Sequence, residues 1–226
     1  MFIIRGGKMN FFENVLNFLC PQTCGICEKI SKEPICKHCK LKLDKITFPN
    51  RKCFLEVNGI YYDEHMYLFK YEGIIKEKIK AYKFRDQSYL YKFFASIINY
   101  NIKIKNYIQK YDYIIPIPLH KYRYNKRGYN QTYLILKELN KKQHIKILND
   151  VLIKNKNIKP QSSLNKIDRA NNIKNAYEIK NIKKIQNKKI LLFDDVFTTG
   201  NTTNECSRIL KENGAIKVGV LTIAKD

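Results

Sequence analysis

At 226 residues and 44% hydrophobic content, the chain is long enough for one α/β domain with a small appendage, and apolar enough to bury a core. Its 43 basic against 20 acidic residues leave a formal net charge of +23, which predicts salt-sensitive attraction to polyanions. Lys, Ile, Asn and Tyr dominate throughout, so charge alone does not define a specific nucleic-acid reader. No apolar run reaches the length of a bilayer crossing, and the expected location is the cytoplasm, where cysteines stay reduced.

In chain order, Arg5-Gly6-Gly7-Lys8-Met9 reads as the translation of a purine-rich ribosome-binding stretch before a start codon. The expectation is that Met9 is the initiator and that residues 1–8 are a mis-annotated start. Phe11 to Leu19 predicts a short amphipathic helix, interrupted by Glu13, Asn14 and Asn17 and followed by no cleavage site of a signal peptide. Cys24-x-x-Cys27 and Cys36-x-x-Cys39 then form two knuckles across a short spacer, the usual way to set four thiolates tetrahedrally around Zn²⁺. Gly25 is expected to relieve the first turn, and His38, Cys20 and Cys53 remain spare ligands. Such a closed site is structural: it folds a module too small to hold itself together.

Residues 41–65 carry no recognisable chemistry. Met66–Tyr71 predicts a strand and Ile74–Phe84 a helix, whose Lys76, Lys78, Lys80, Lys83 and Arg85 read as a solvated face. Asn99–Lys110 reads as a polar loop. Tyr113–His120 is a buried strand ended by prolines, and its continuation through Arg123, Arg127 and Gly128 reads as a turn delivering cations to a diphosphate. A helix begins near Asn130 and Gln131. Ile145–Ile153 is a further strand. Residues 154–175 form a long polar connection of the kind that closes over a reactive ligand.

The most informative stretch is Lys189–Thr203. A short apolar run leads into Asp194 and Asp195, then Thr198-Thr199-Gly200-Asn201-Thr202, then a helix that Thr202-x-x-Glu205 opens as a capping box, with Gly214 at its far end. Ligands bind beyond the carboxyl ends of parallel strands, and a turn into a helix N-terminus seats a phosphate. The two carboxylates suit sugar hydroxyls, or a Mg²⁺ shared with a second phosphate group. A ligand meeting all of this is 5-phosphoribosyl 1-diphosphate. Neither a P-loop nor a dinucleotide fingerprint is present. Ile216–Ile223 closes the chain as a core strand.

Leu-Leu-Phe-Asp194-Asp195-Val-Phe-Thr198-Thr199-Gly200-Asn201-Thr202 resembles the signature of type I phosphoribosyltransferases, hydrophobic-Asp-Asp-x-x-Thr-Thr-Gly-x-Thr. With the two Cys-x-x-Cys pairs, Pro116-x-Pro118-Leu119, Arg127-Gly128-Tyr129-Asn130-Gln131, Gln161 and Arg169-x-x-Asn172, the order resembles the ComF family, which is tied to DNA uptake in natural competence. Lys83-Phe84-Arg85 is similar to that family's Lys-Phe run, with Asp86 where a glycine is common.

The resemblance implies an α/β fold, a type I phosphoribosyltransferase-like core with a mainly parallel sheet flanked by helices, plus the zinc knuckle. The expected domains are 9–60 (helix and four-cysteine zinc module), 61–110 (connecting strand and helices) and 111–226 (core). It implies that Asp194, Asp195, Thr198, Thr199, Gly200 and Thr202 bind the phosphoribosyl group, and that Cys24, Cys27, Cys36 and Cys39 bind zinc. Asn201 sits in the same turn, and Arg123 and Arg127 are the cations for the leaving diphosphate, Mg²⁺ accompanying it. Asp194, Asp195 and Arg127 are the candidate catalytic residues. Three functions are compatible: a phosphoribosyltransferase homologue acting in DNA uptake beside competence-machinery proteins; a non-catalytic factor handling single-stranded DNA, with sixteen tyrosines available to stack on bases; or a nucleobase-salvage transferase unrelated to DNA.

Overall fold

The structure, a computed structural model, describes residues 21–47, the backbone of 50–53, and residues 59–155 and 176–226. The expected helix over Phe11–Leu19, the start at Met9, and most of the connection over 154–175 lie outside these residues. Two compact units divide the chain, Met1–Lys45 and Ile46–Asp226.

In the first unit, the Cys24–Glu28 turn is closed by Glu28 N donating to Cys24 O at 2.9 Å, and Thr23 bridges Ile30 antiparallel. The left-handed residue that this turn requires is Glu28 (φ 62°), not Gly25 as expected. Cys36 leads into helix α1 (Lys37–Ile46), which carries Cys39 inward with Leu43 and leaves His38 exposed.

The second unit is built on a five-stranded sheet. Its strands are β1 (Asn50–Cys53), β2 (Glu64–Lys70), β3 (Tyr113–Pro116), β6 (Lys189–Phe197) and β7 (Lys217–Lys225), in the order β1-β2-β7-β6-β3. Only β1 runs antiparallel to its neighbour. β6 and β7 lie at the centre with both faces covered, which is why they read as continuous apolar runs without alternation.

On one face, Ile190, Leu192, Val218 and Val220 pack with Cys206, Ile209 and Leu210 of helix α7 (Asn201–Glu212). Beside α7 lies a two-stranded hairpin, β4 (Leu152–Lys154) and β5 (Tyr177–Ile179). The other face carries α6 (Gln131–Gln143) against β3 and β6, with α3 (Leu90–Tyr100) packed on α6 and on α2 (Gly73–Phe84).

Two segments read as loops are helices. Residues 102–108 form α4 (Ile102–Ile108), capped by the Asn101 side chain and burying Ile104, Tyr107 and Ile108. The basic run forms α5 (Lys121–Arg127), capped by His120 and ended by left-handed Gly128. The expected strand over Ile145–Ile153 reduces to a single parallel bridge between Ile114 and Ile147 and the start of β4.

Gly219, in the middle of β7, is required for steric reasons. A Cβ there would lie 2.0 Å from the Tyr111 hydroxyl and 2.8 Å from that of Tyr107. Both hydroxyls are fixed: Tyr111 donates to Glu64 Oε1 at 3.0 Å and Tyr107 donates to the carbonyls of Glu64 and Val220. Gly219→Ala is therefore expected to destabilise the fold by about 3 kcal/mol, the upper range for an overpacked core. The midpoint of denaturant unfolding should fall accordingly, with the slope unchanged.

Candidate functional site

The site is organised by β6 and the turn that follows it. Because successive side chains of a strand point to opposite faces, the adjacent acids separate. Asp194, in register with Thr222, turns toward the α7 and β4–β5 side, among Cys206 and Lys154. Asp195 turns toward α2 and α6, where it is 3% exposed. Its Oδ1 lies 2.7 Å from Lys83 Nζ, and its Oδ2 accepts from Gln131 Nε2 at 3.2 Å. The Lys83 ammonium, read from sequence as part of a solvated face, is thus the counter-ion of a buried carboxylate.

Asp194 is half-buried, and its Oδ1 accepts from the Asp195 backbone N–H at 2.8 Å. Burial raises its pKa from the ordinary carboxylate value to about 7, the Asp195 charge adds to the rise, and Lys83 opposes it. A carboxyl whose folded pKa is raised binds its proton more tightly when folded. Its stabilising contribution is fully present below the unfolded pKa near ~3.9 and is lost as pH climbs toward about 7. Asp194→Asn should therefore gain stability over the wild type between pH 4 and pH 7.5. Paired thermal melts across that range check it, and a constant difference would contradict it.

After β6 the chain passes through exposed Thr198 and Thr199 into Gly200, whose φ of 77° makes it a left-handed N-cap. An added Cβ at Gly200 would meet the Phe197 ring at 2.4 Å. That ring is itself stacked on His65 at a centroid distance of 4.2 Å. The expected capping box does not form: the helix starts at Asn201 behind Gly200, which has no side chain to cap it, Thr199 Oγ1 accepts from Asn201 N at a long 3.5 Å, and Glu205 turns away to pair with Arg208 at 2.8 Å. Burial of Cys206, Ile209 and Leu210, each about 2 kcal/mol, holds α7 without a cap. Thr203 Oγ1 donates to Gly200 O at 2.9 Å and braces the turn from behind. On the same side, Lys154 of β4 donates to the Tyr177 hydroxyl of β5 at 3.0 Å.

α5 lies over both sides. Arg123 acts electrostatically on Lys154 and Tyr177, on the Asp194 side. Arg127 acts on Asp195, which counters the downward pull of burial on its pKa. Its guanidinium lies 5.6 Å from the centre of the Phe84 ring. No helix among the described residues is long and apolar enough to cross a membrane.

The four cysteines also converge. Cys24, Cys27, Cys36 and Cys39 place their sulfurs within 4.8 Å of one another, with Cys27 and Cys36 Sγ 3.9 Å apart. Tetrahedral Zn–S bonds of about 2.3 Å require an S–S spacing of about 3.8 Å. The cluster can hold a zinc ion. Its protonation pattern asks for a cation. Burial acts against the Cys24 thiolate, yet N–H groups of Cys36, Cys27 and Ile26 outweigh it and lower the pKa to about 6. Cys39 is pushed up to about 12 by burial and by the neighbouring Cys36, Cys27 and Cys24.

A mainly parallel α/β sheet, in which the inner strand β6 carries Asp-Asp near its carboxyl end ahead of a threonine-glycine turn, defines a phosphoribosyltransferase-like fold class, and the chain also contains a four-cysteine unit. No protein-family model matches the chain. It is 28% identical to competence protein F of Haemophilus influenzae over 207 residues, covering 89% of this chain and 90% of that protein. It is 30% identical to competence protein ComFC of Streptococcus pneumoniae over 161 residues (71% of this chain, 68% of that protein). With ComFC of Bacillus subtilis the identity is 26% over 217 residues, 94% and 80% of the two chains. The chain belongs to the ComF family. Among solved structures it is similar to a hypoxanthine phosphoribosyltransferase from Staphylococcus aureus at a TM-score of 0.35 and 12% identity, covering 60% of this chain and 65% of that one. A glutamine phosphoribosylpyrophosphate amidotransferase from B. subtilis gives a TM-score of 0.34 and 17% identity, with 52% of this chain and 24% of that chain covered.

Proposed function

We propose that the protein binds 5-phosphoribosyl 1-diphosphate together with Mg²⁺ at the carboxyl edge of β6, and that it transfers the phosphoribosyl group in the service of DNA uptake. The observation that carries this reading is the start of α7 behind Gly200, with two exposed threonines ahead of it and a half-buried acid in the strand before them. The only side-chain bond to a first-turn N–H among the described residues is the long 3.5 Å one from Asn201 N to Thr199 Oγ1. Helix N-terminal N–H groups and the helix dipole favour an anion there.

In this reading Thr198, Thr199, Gly200, Asn201 and Thr202 hold the 5′-phosphate. Asp194, once ionised, accepts from the ribose hydroxyls, and Asp195, neutralised by Lys83, braces the strand end. Arg123 and Arg127 receive the diphosphate oxygens as the bond from C1′ breaks and a nucleophile of the acceptor attacks. Bound Mg²⁺ would neutralise charge on the diphosphate. The chain's own contribution is positional and electrostatic, with no covalent intermediate. Zinc in the four-cysteine unit is structural in the same proposal, and the cytoplasm is the place of action. The competence role rests on the names of the relatives.

Titration calorimetry with the donor, with and without Mg²⁺, tests the proposal: saturable 1:1 binding strengthened by Mg²⁺ supports it, and no heat at millimolar donor refutes it. A second reading, a factor handling single-stranded DNA, is favoured by α5, where Tyr122 is 60% and Tyr124 49% exposed between Lys121 and Lys126. Affinity for oligonucleotide that does not fall as salt rises would exclude it.

A further inference from the structure

We infer that the carboxyl-terminal end of α2 is a working wall of this site, with Lys83 and Phe84 as positioning residues. Two consecutive side chains meet the two groups on this side of β6 that carry opposite charge. Lys83 Nζ sits 2.7 Å from Asp195 Oδ1, with its side chain 20% exposed. Phe84, 73% exposed, offers its ring to the Arg127 guanidinium at 5.6 Å. The guanidinium carbon of Arg127 lies over this exposed ring, within reach of a cation–π contact.

The surroundings of Asp195 also mark this side as built for a ligand. Gln131 is 6% exposed. Asp195 fixes which way its amide faces, because only Nε2 can donate to the carboxylate. That leaves Gln131 Oε1 buried with no partner, and Arg127 Nη1 is likewise buried with none. One unmet acceptor and one unmet donor beside the same carboxylate form a cost that a bound polar group removes. Lys83 holds the Asp195 carboxylate in one rotamer, so that Gln131 keeps its orientation. Phe84 keeps Arg127 over the strand end, where phosphate oxygens arrive. The end of α2 is itself held in place: Tyr82 donates to Gln131 O at 2.9 Å, and Tyr129 donates to Tyr82 O at 2.8 Å.

This inference rests on the donor-binding reading above, and its test is built to separate the two. Affinity for 5-phosphoribosyl 1-diphosphate with Mg²⁺ is measured by calorimetry for wild type, Lys83→Met, Lys83→Arg, Asp195→Asn, the Lys83→Met/Asp195→Asn double variant, Phe84→Ala and Phe84→Tyr. Lys83→Met should weaken binding about tenfold or more, Lys83→Arg should stay within about threefold of wild type, and the double variant should bind no worse than Asp195→Asn alone. Phe84→Ala should lose about three- to tenfold, and Phe84→Tyr should restore it. The double variant removes both charges of the pair, so it folds even where Lys83→Met strands a buried carboxylate. Lys83→Met binding like wild type while Asp194→Ala has lost binding would overturn the inference and leave the donor site standing. Independent, additive losses from Lys83→Met and Asp195→Asn would overturn it too. A wild type that binds no donor would remove both.

Discussion

Asp194→Ala should lower affinity for 5-phosphoribosyl 1-diphosphate about 100-fold or more while leaving the protein at least as stable as the wild type at neutral pH. The affinity loss follows from two hydroxyls that each donate to an ionised carboxylate, at about 1.5–3 kcal/mol per charge-assisted bond. The stability gain follows from the raised pKa: at pH 7 and above, the folded protein carries a half-buried carboxylate that would rather be protonated. Asp195→Ala should behave differently. That carboxylate is buried and ion-paired, so its removal leaves the Lys83 ammonium and the Gln131 amide without their acceptor. The expected cost is about 3–5 kcal/mol of folding free energy in addition to lost binding. Donor calorimetry and denaturant unfolding on both variants separate the roles. Diphosphate release persisting in both would refute the placement of the ribose at this strand end.

The contrast between neighbouring acids was not legible in the sequence, although the unit containing them was. Ile190–Phe193, the acids, the threonine-glycine turn and α7 are contiguous, and each step depends on local chemistry: an apolar run, a left-handed glycine, a helical apolar stripe. Which acid faces which helix depends on the strand continuing in extended form to Phe197. The sequence reading ended the strand at the acids and set them side by side. The capping box failed for a related reason. A left-handed Gly200 moves the helix start to Asn201, and Glu205 finds Arg208 one turn on.

Helices were lost where the apolar signal was weak. α5 buries none of its residues, so no period of 3.6 exists to be read, and only His120 and Gly128 at its ends mark it. In α4 the spacing Ile104, Tyr107, Ile108 and the Asn101 cap were present but outweighed by the lysines and asparagines around them. Lys83 illustrates the harder case. On a helix with three other basic residues, nothing local distinguishes the one whose partner lies on a distant strand. A buried ion pair is a tertiary fact, and the resemblance of Lys83-Phe84 to a family run was the only sequence clue to it. The convergence of the four cysteines was legible, because metal-ligand spacing is itself local, although the left-handed turn residue is Glu28 and not Gly25.

That unit carries the second large prediction. Replacing Cys24 or Cys39 with serine is expected to remove one zinc ion per chain and to abolish fixed structure over residues 24–46. Among the described residues of this stretch, the buried side chains are Cys24, Ile35, Cys39 and Leu43, and two of these four belong to the cysteine cluster that can hold the metal. Two apolar residues cannot offset the backbone entropy of ordering such a segment, at about 1–2 kcal/mol per residue. Metal binding, at about 10–16 kcal/mol for a structural zinc site near neutral pH, can. Elemental analysis should find one zinc per wild-type chain and none in the variants. Hydrogen exchange should show the amides of Cys24, Glu28, Ser31 and Cys36, each bonded in the native turn pair, becoming unprotected in the variants and in wild type treated with chelator. A wild-type protein without zinc, or protection at those amides that survives chelation, would mean that the cysteines pack as thiols and that the turn pair is held by contacts other than the metal.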